Sequence, residues 1–246
     1  MSLEVRKLAD GISSWIRLQV RQAGAKGVVL GLSGGADSAV VAVLSKMAVG
    51  DNVLALLMPI DSSRDSLSHA KLVAGQYKIR SLVVDLSAVR DSFLKALPPA
   101  PQIAEANLRP RLRMAALYYF ACLENYLVAG TGNRSEIMLG YFTKYGDGGV
   151  DVLPLGDIYK GEVLELAREL GLPDEIVEKP PSADLWVGQT DEKEIGLSYA
   201  ELDAILAALD SGNVDAFDRA QVGRVKEMLA RSEHKRRLPP IFSRQP

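Results

Sequence analysis

The sequence is short of cysteine, histidine and long apolar runs, and each shortage narrows what the chain can be. Cys122 is the only cysteine, so no internal disulfide is possible, which suits a reducing cytoplasm. The two histidines, His69 and His234, are too few and too far apart to predict a metal site or a catalytic triad. No segment approaches the ~20 consecutive apolar residues that span a bilayer, and the first residues lack the apolar core of a secretory signal. We therefore expect a cytoplasmic protein with no membrane partner.

An excess of basic charge is also missing. Lysine and arginine together number 29 against 31 aspartates and glutamates, which gives a formal net charge of −2. That balance argues against a broad nucleic-acid footprint, so we expect no nucleic-acid partner. Basic residues cluster at 109–113 and at 234–237. Such clusters in a nearly neutral chain favour a discrete polyanionic ligand, although a solvated charged face has the same appearance.

What the chain does contain is a regular alternation of strands and helices. Its 246 residues, 48% of them apolar, suffice for a sizeable core, and we expect residues 1–246 to form a single domain. Apolar runs predict strands at 28–30, 52–58, 81–86 and 126–130. Runs of this kind, alternating with helices, predict an α/β fold with a doubly wound parallel sheet that is flanked by helices on both faces.

Helical periodicity fills most of the remaining sequence. The predicted helices cover about 5–20, 63–76, 107–125 and 160–170, and two more at 199–209 and 214–231 give a helical C-terminal segment. Residues 145–154 are rich in glycine and aspartate, which predicts a mobile loop, and residues 180–194 look irregular.

A glycine-rich turn lies between the first predicted strand and the next helix. Residues 31–38 read Gly-Leu-Ser-Gly-Gly-Ala-Asp-Ser. Glycines allow close approach, and the free amides, the hydroxyls of Ser33 and Ser38 and the helix dipole suit a phosphate group. An ordinary tight turn also selects Gly, Ser and Asp. The turn lacks the lysine of a Walker loop and the glycine spacing of the dinucleotide-binding fingerprint. It resembles the S-G-G-x-D-S loop of the ATP pyrophosphatases (PP-loop enzymes), which cleave ATP to AMP and pyrophosphate.

A second polar segment, residues 130–136, follows the fourth predicted strand. Ligand sites in open α/β sheets lie beyond the carboxyl ends of the strands, so we expect this segment beside the glycine-rich turn. Thr131 can donate to a phosphate or ribose oxygen. Asp37 and Glu136 are predicted to share a Mg²⁺ with the triphosphate, because Mg²⁺ takes one or two carboxylates plus phosphate oxygens. Glu136 is alternatively explained as an acid that favours its helix N-terminus.

Residues 141–151 make the resemblance more specific. They read Tyr-Phe-Thr-Lys-Tyr-Gly-Asp-Gly-Gly-Val-Asp, which is very similar to the F-x-T-K-Y-G-D-G-G-x-D signature of the NAD synthetases. Flanking pieces match that family in the same order, from about residue 3 to residue 242: Asn107-x-x-x-Arg111-x-Arg113-Met114, Leu153-Pro154-Leu155, 179–185 (Lys-Pro-Pro-Ser-Ala-Asp-Leu), 189–192 (Gln-Thr-Asp-Glu) and 234–240 (His-Lys-Arg-Arg-Leu-Pro-Pro). The resemblance implies the adenine nucleotide alpha hydrolase-like fold of PP-loop enzymes.

The resemblance also implies a reaction, the last step of NAD biosynthesis. The carboxylate of deamido-NAD attacks the α-phosphorus of ATP to give an NAD-adenylate and pyrophosphate, and ammonia then displaces AMP to give NAD. Such an enzyme is a carbon–nitrogen ligase with Mg²⁺ as its metal and ATP as co-substrate. Members of the family form homodimers with the dinucleotide near the interface, and the helix at 107–125 is the candidate contact here. Free ammonia is the expected nitrogen donor, because the chain has no match to an amidase and Cys122 lies in an apolar helical stretch.

Site residues follow from the resemblance position by position. It implies catalytic roles for Asp37 and Lys160 and metal binding by Asp37 and Glu136. The implied ATP contacts are Gly31, Leu32, Ser33, Gly34, Gly35, Ala36, Asp37, Ser38, Thr131, Lys160 and Ser182. The implied deamido-NAD contacts are Arg111, Lys144, Asp151, His234 and Lys235. Helical geometry separates Arg111 from Arg109 and Arg113, since residues two apart lie on different faces.

The sequence departs from the family pattern at two places, and two other functions are the alternatives to this one. Many family members read G-T-D-H-A-A-E where residues 130–136 read Gly-Thr-Gly-Asn-Arg-Ser-Glu, and a frequent threonine is replaced by Ser182. The alternative enzyme is another PP-loop ligase that activates a nucleobase carbonyl or a tRNA base, but zinc-type cysteine pairs and a strongly basic domain are missing. The alternative of another class is a nucleotide sensor, which would not need Asp37, Glu136 and the loop from Lys144 to Asp151.

Overall fold

Four short parallel strands form the centre of the protein. The structure is a computed structural model that describes residues 3–60, 64–182 and 190–244. Its strands are β1 (Gly27–Gly31), β2 (Val53–Leu57), β3 (Arg80–Val83) and β4 (Tyr126–Val128), in the order β3-β2-β1-β4. The chain runs outward from β1 to β3 and returns to place β4 on the other side of β1. This reversal is the doubly wound topology predicted from the sequence, and it opens a crevice between the ends of β1 and β4.

Helices connect and cover the strands. Those of the N-terminal half are α1 (Leu3–Gln22), α2 (Ala36–Val49), α3 (Arg64–Gln76), α4 (Ser87–Lys95), α5 (Gln102–Ala106) and α6 (Leu108–Glu124). Those of the C-terminal half are α7 (Arg134–Leu139), α8 (Lys160–Glu169), α9 (Asp174–Val177), α10 (Asp191–Ile195), α11 (Tyr199–Ser211) and α12 (Arg219–Arg236). The long predicted helices are confirmed, whereas α4, α5, α9 and α10 are additions that short sequence periods did not reveal.

Apolar side chains form three layers that hold these elements together. One face of the sheet packs against α1, α2, α3, α8 and α9, and the opposite face packs against α6. A third cluster joins α10, α11 and α12 to the end of α7. The predicted helical C-terminal segment is therefore confirmed, although its last helix begins at Arg219 rather than near 214.

The sheet is not covered everywhere in the single chain. Strands β1 and β2 are buried as their apolar sequences predict, but every residue of β3 is exposed. Helix α4 beside it buries none of its residues. Within the described ranges no helix is long and apolar enough to cross a membrane. Ser63, the predicted start of the third helix, and residues 183–189 of the predicted irregular segment lie outside the described residues.

Candidate active site

A cavity of about 910 Å³ opens at the carboxyl ends of β1 and β4, where the sequence predicts the ligand site. Its walls include every residue of the glycine-rich loop except Gly34. Among the other predicted site residues, Thr131, Glu136, Lys160, Ser182 and Lys235 also line it. The predicted ATP and metal residues are thus brought together in one place.

The glycine-rich loop is organised by its own hydroxyl groups. The Ser38 hydroxyl donates to the carbonyl of Gly35 at 3.0 Å and accepts from the backbone N–H of Ser33 at 3.2 Å. Ser33 Oγ in turn accepts from the N–H of Gly35 at 3.3 Å. Gly34 has φ +83, and a Cβ there would lie 2.3 Å from the carbonyl oxygen of Ser66 on α3. The loop therefore needs glycine at 34 both for its backbone angle and for its packing on α3.

Asp37 is held from two sides. It lies in the first turn of α2, and its Oδ2 accepts a close ion-paired hydrogen bond from Lys160 Nζ. Its Oδ1 accepts from Asn133 Nδ2 at 2.9 Å. Lys160 is only 3% exposed. Burial by itself lowers the pKa of Lys160, but the carboxylates of Asp37 and Glu136 outweigh it and raise that pKa, so the ammonium stays charged.

Hydrogen bonds from Ser135 and Asp203 fix the backbone at the start of α8, which carries Lys160. Ser135 Oγ accepts from the N–H of Lys160 at 3.1 Å and donates to Asp203 Oδ1 at 2.5 Å. The second oxygen of Asp203 accepts from the N–H of Gly161 at 2.9 Å. Ser135 lies in the first turn of α7 and Lys160 begins α8, so one carboxylate from α11 anchors both helix N-termini. These hydrogen bonds fix the start of α8, which carries Lys160, relative to α7, which carries Glu136.

Glu136 takes part in the N-terminal cap of α7 and also lines the cavity. Asn133 and Glu136 form a capping box at the start of α7, in which Glu136 Oε2 accepts from the N–H of Asn133 at 3.1 Å. The expected helix-terminus role is therefore present. Burial and the charge of Asp37 raise the pKa of Glu136 to about 8, against the opposing effect of Lys160. Part of this raised pKa reflects repulsion between the two carboxylates, and a cation bound between them would relieve that repulsion.

This donor set fits the predicted Mg²⁺. No group of three or more His, Cys, Asp or Glu side chains within residues 3–60, 64–182 and 190–244 is arranged to hold a metal ion by itself. Mg²⁺, however, keeps few protein ligands and completes its octahedron with water and substrate phosphates. Asp37 and Glu136, which both line the cavity, supply that smaller set.

The acidic group behind Lys160 was not assigned a role from the sequence. Asp191, in the Gln-Thr-Asp-Glu motif, is 3% exposed and accepts from the hydroxyls of Tyr199 at 3.1 Å and Tyr141 at 3.2 Å. Lys160 Nζ lies 5.6 Å from the centroid of the Tyr199 ring. Burial and the surrounding carboxylates raise the pKa of Tyr199, so its hydroxyl stays protonated and remains a donor. The motif signalled Asp191, but not its contact with Tyr141, which lies 50 positions away.

The predicted dinucleotide contacts fall into two groups. Lys235 lines the cavity, and its Nζ donates to the carbonyls of Gly140 and Phe142 at 2.7 Å each. Arg111, Lys144, Asp151 and His234 do not line the cavity. Lys144 Nζ donates to the carbonyl of His234 at 2.6 Å, and Arg111 donates to the carbonyl of Lys144 at 3.4 Å. These contacts place basic residues of α6, the loop after α7 and α12 together on the outer rim.

Asp151 has a structural task at that rim. Its Oδ2 accepts from the N–H of Val128 on β4 at 2.8 Å, and its Oδ1 accepts from the Tyr118 hydroxyl at 3.0 Å. Burial and this carboxylate raise the pKa of Tyr118 to about 12.

Lys179 lines the cavity and donates to Ser66 Oγ at 2.9 Å. Lys179 belongs to the motif at 179–185, but the sequence alone predicts no role for it.

The parallel sheet, the glycine-rich loop with its acid and the carboxylate-bearing helix after the adjacent strand together define a PP-loop type of ATP-binding enzyme. The chain belongs to the NAD synthase family, whose sequence profile matches residues 8–239. It is 48% identical over 246 residues to the NH(3)-dependent NAD(+) synthetase of Archaeoglobus fulgidus, covering 97% of each chain. The resemblance that the motifs indicated is confirmed.

Solved structures agree with this family. The chain superimposes on the NH3-dependent NAD synthetase of Campylobacter jejuni with a TM-score of 0.87 and 32% identity, covering 97% of this chain and 99% of that one. It superimposes equally well, with a TM-score of 0.88 and 33% identity, on a protein of Francisella tularensis described as an NMN synthetase, covering 97% and 98% of the two chains. The second likeness bears on the choice of substrate.

Proposed function

We infer that this chain makes NAD from deamido-NAD, ATP and ammonia, releasing AMP and pyrophosphate. The observation that carries this inference is the near full-length match to NH(3)-dependent NAD(+) synthetases, combined with the cavity that gathers the glycine-rich loop, Asp37 and Lys160. The enzyme is a ligase that forms a carbon–nitrogen bond, and ATP is its co-substrate.

The first step joins two anions, so charge neutralisation is its main requirement. An oxygen of the nicotinate carboxylate forms a bond to the α-phosphorus of ATP, and the bond from that phosphorus to the bridging oxygen breaks to release pyrophosphate. Lys160 offers a fixed positive charge on the wall of the cavity, and the N-terminus of α2 offers backbone N–H groups. We propose Mg²⁺ at Asp37 and Glu136, where it would neutralise phosphate charge.

The second step replaces AMP by ammonia. The nitrogen of ammonia forms a bond to the activated carbonyl carbon, a proton is lost, and AMP leaves with the electron pair of the carbon–oxygen bond. We propose that Thr131 and Ser182 on the cavity wall contact ATP and hold the adenylate during this step. Exclusion of water matters here, because water competes with ammonia for the same carbon.

The dinucleotide is proposed to lie along the rim. Lys235 inside the cavity and Arg111, Lys144 and His234 outside it form a basic track suited to a diphosphate. Asp151 is proposed to contact the substrate through an oxygen not saturated by Val128 and Tyr118, since each carboxylate oxygen has two lone pairs.

We further propose that the chain is a single domain and that it works in the cytoplasm. We also propose that it forms a homodimer through α4, α6 and β3, where apolar side chains are exposed.

A second candidate substrate is the deamidated mononucleotide. It is favoured by the equal structural likeness to the Francisella tularensis protein described as an NMN synthetase. The rim track argues for the dinucleotide, because its basic residues extend beyond the cavity that would hold a mononucleotide.

Purified chain should be assayed with ATP, Mg²⁺ and ammonium, with deamido-NAD and the mononucleotide compared by kcat/KM. We expect NAD, AMP and pyrophosphate in equal amounts, a preference for deamido-NAD and no turnover in Asp37→Ala. Absence of NAD would overturn the proposed function, and a preference for the mononucleotide would reassign the substrate.

A further inference from the structure

One amide side chain connects the two carboxylates proposed to hold the metal. Asn133, fully buried at the N-cap of α7, donates from Nδ2 to Asp37 Oδ1 at 2.9 Å. Its Oδ1 accepts from the backbone N–H of Glu136 at 3.0 Å, and its own backbone N–H donates to Glu136 Oε2 at 3.1 Å. Asp37 belongs to the loop and helix after β1, whereas Glu136 belongs to the helix after β4. Asn133 therefore links the two sides of the crevice.

The orientation of this amide is fixed by its neighbours. The backbone N–H of Glu136 needs an oxygen, and the carboxylate of Asp37 needs a donor, so only one of the two amide orientations satisfies both. The N-cap alone does not require asparagine, because serine and aspartate cap helices about as well. The hydrogen bond to Asp37 is the feature that calls for an amide at 133.

We propose that Asn133 is a positioning residue for the metal pair, and this inference rests on the proposed function. It holds the Asp37 carboxylate at a set place relative to Glu136, so that both can share one Mg²⁺ with the triphosphate. Lys160 holds the other oxygen of Asp37 from α8, whereas Asn133 hydrogen-bonds to both Asp37 and Glu136 and so links the two carboxylates directly. Hydrogen bonds that orient metal ligands commonly contribute 10–100-fold, as an order of magnitude, to metal affinity or activity.

The test uses a substitution that keeps the cap and removes the bond. Asn133→Ser retains an N-cap oxygen but is too short to reach Asp37, whereas Asn133→Ala loses both. Mn²⁺ binding in the presence of a non-hydrolysable ATP analogue, followed by electron paramagnetic resonance, reports the metal site without turnover. We expect Asn133→Ser to weaken Mn²⁺ binding by about tenfold or more while its Tm stays near that of the parent. Asn133→Ala should lower both Mn²⁺ affinity and Tm.

Controls separate positioning from capping. Asp218 caps α12 in the same manner, with Oδ1 accepting from Ala220 and Gln221, so Asp218→Ser should leave Mn²⁺ affinity unchanged. In an Asp37→Asn background, adding Asn133→Ser should cost little further Mn²⁺ affinity, because its effect acts through Asp37. Should Asn133→Ser prove unstable, Asn133→Thr keeps a capping hydroxyl and answers the same question.

Parent-like Mn²⁺ affinity in the capped variants, measured on a chain that makes NAD, would overturn this inference alone. An effect of Asn133→Ser that persists in full in the Asp37→Asn background would also overturn it. If the parent chain makes no NAD, the proposed function has failed instead, so the NAD assay on the parent chain distinguishes the two cases.

Discussion

At the residue level, the raised pKa of Glu136 makes the stability of the folded chain depend on pH. Its pKa is raised from 4.5 to about 8, so between these values the folded chain keeps a proton that the unfolded chain has lost. Stability should therefore fall as pH rises from about 4.5 to about 8 and then level off, because the folded state binds more protons in that window.

Glu136→Gln removes this titrating group, so the stability of the variant should not fall with rising pH in the way that the parent's does. Its amide oxygen can still accept from the N–H of Asn133, so the cap of α7 is retained. We expect the variant to unfold several degrees higher than the parent at pH 8 without metal, since about 1 kcal/mol shifts Tm by about 2–4 °C in a chain of this size. The two Tm values should converge near pH 4.5. Equal Tm values at pH 8 in a thermal unfolding series would contradict the raised pKa.

Lys179 is a second residue whose neighbours suggest a role in phosphate binding. It lines the cavity beside α3, and the side-chain partner it has there is the neutral hydroxyl of Ser66. We expect Lys179→Met to raise the KM for ATP by about tenfold, because a charged hydrogen bond contributes about 1.5–3 kcal/mol. The KM for deamido-NAD should change little. Lys179→Arg keeps the charge and serves as the matched control, and steady-state kinetics with an unchanged ATP KM in Lys179→Met would count against the prediction.

Sequence reasoning located the site but not its internal bonds. Asp37 and Glu136 were predicted to meet because the carboxyl ends of parallel strands share one edge, and this needs only the order of strands. The bonds of Asn133 to Asp37 and of Asp151 to Val128 join residues 96 and 23 positions apart, and they depend on how helices and loops are oriented. No spacing in the sequence encodes those orientations. The role of Lys160 came from family resemblance and not from its local pattern.

At the level of elements, the contact between α7 and α12 depends on a glycine. Gly140 ends α7 with φ +66, and a Cβ there would lie 2.1 Å from the Cβ of Ser232 on α12. Lys235 of the same helix donates to the carbonyl of Gly140, so the position of α12 sets the position of a proposed dinucleotide contact. The close approach of the two helices therefore links folding to substrate binding.

Gly140→Ala should separate α12 from α7, whereas Gly212→Ala should not disturb any packing. Gly212 also ends a helix with positive φ, +74, but a Cβ there meets nothing within 4 Å. Both variants carry the backbone cost of about 1–2 kcal/mol, and only Gly140→Ala adds a collision. We expect a larger loss of Tm and a raised KM for deamido-NAD in Gly140→Ala alone. Similar Tm losses in the two variants would contradict the packing argument.

Helix lengths were predictable where an apolar period ran for several turns, as in α1 and α6. The short helices α4, α5 and α10 escaped prediction because one or two turns give too few repeats for a period. Helix α4 also has no buried face in the single chain, so its apolar residues followed no pattern that a monomeric core would impose.

At the scale of the whole molecule, one face carries apolar residues that the single chain does not cover. Helix α6 packs inward through Leu117 and Ala121, while Tyr119 and Leu123, one turn apart on its outer side, are 67% and 65% exposed. Phe93 on α4 is 48% exposed, and β3 is exposed along its length. Exposed apolar side chains grouped on neighbouring elements are typical of an interaction site. Tyr118 of the same helix donates to Asp151, a proposed dinucleotide contact, as expected if the proposed homodimer completes the dinucleotide site.

A charge placed in this face should therefore separate the subunits. We expect the parent chain to be a dimer by light scattering coupled to size-exclusion chromatography, and Leu123→Glu to be a monomer with an increased KM for deamido-NAD, because burial of an unpaired carboxylate opposes association. Leu72→Glu is the matched control, since Leu72 is 41% exposed on α3, which packs against the opposite face of the sheet. It should leave both the dimer and the KM intact. A monomeric parent at assay concentration, or a dimer that tolerates Leu123→Glu, would place the interface elsewhere and leave the exposed face of α4 and α6 without its proposed partner.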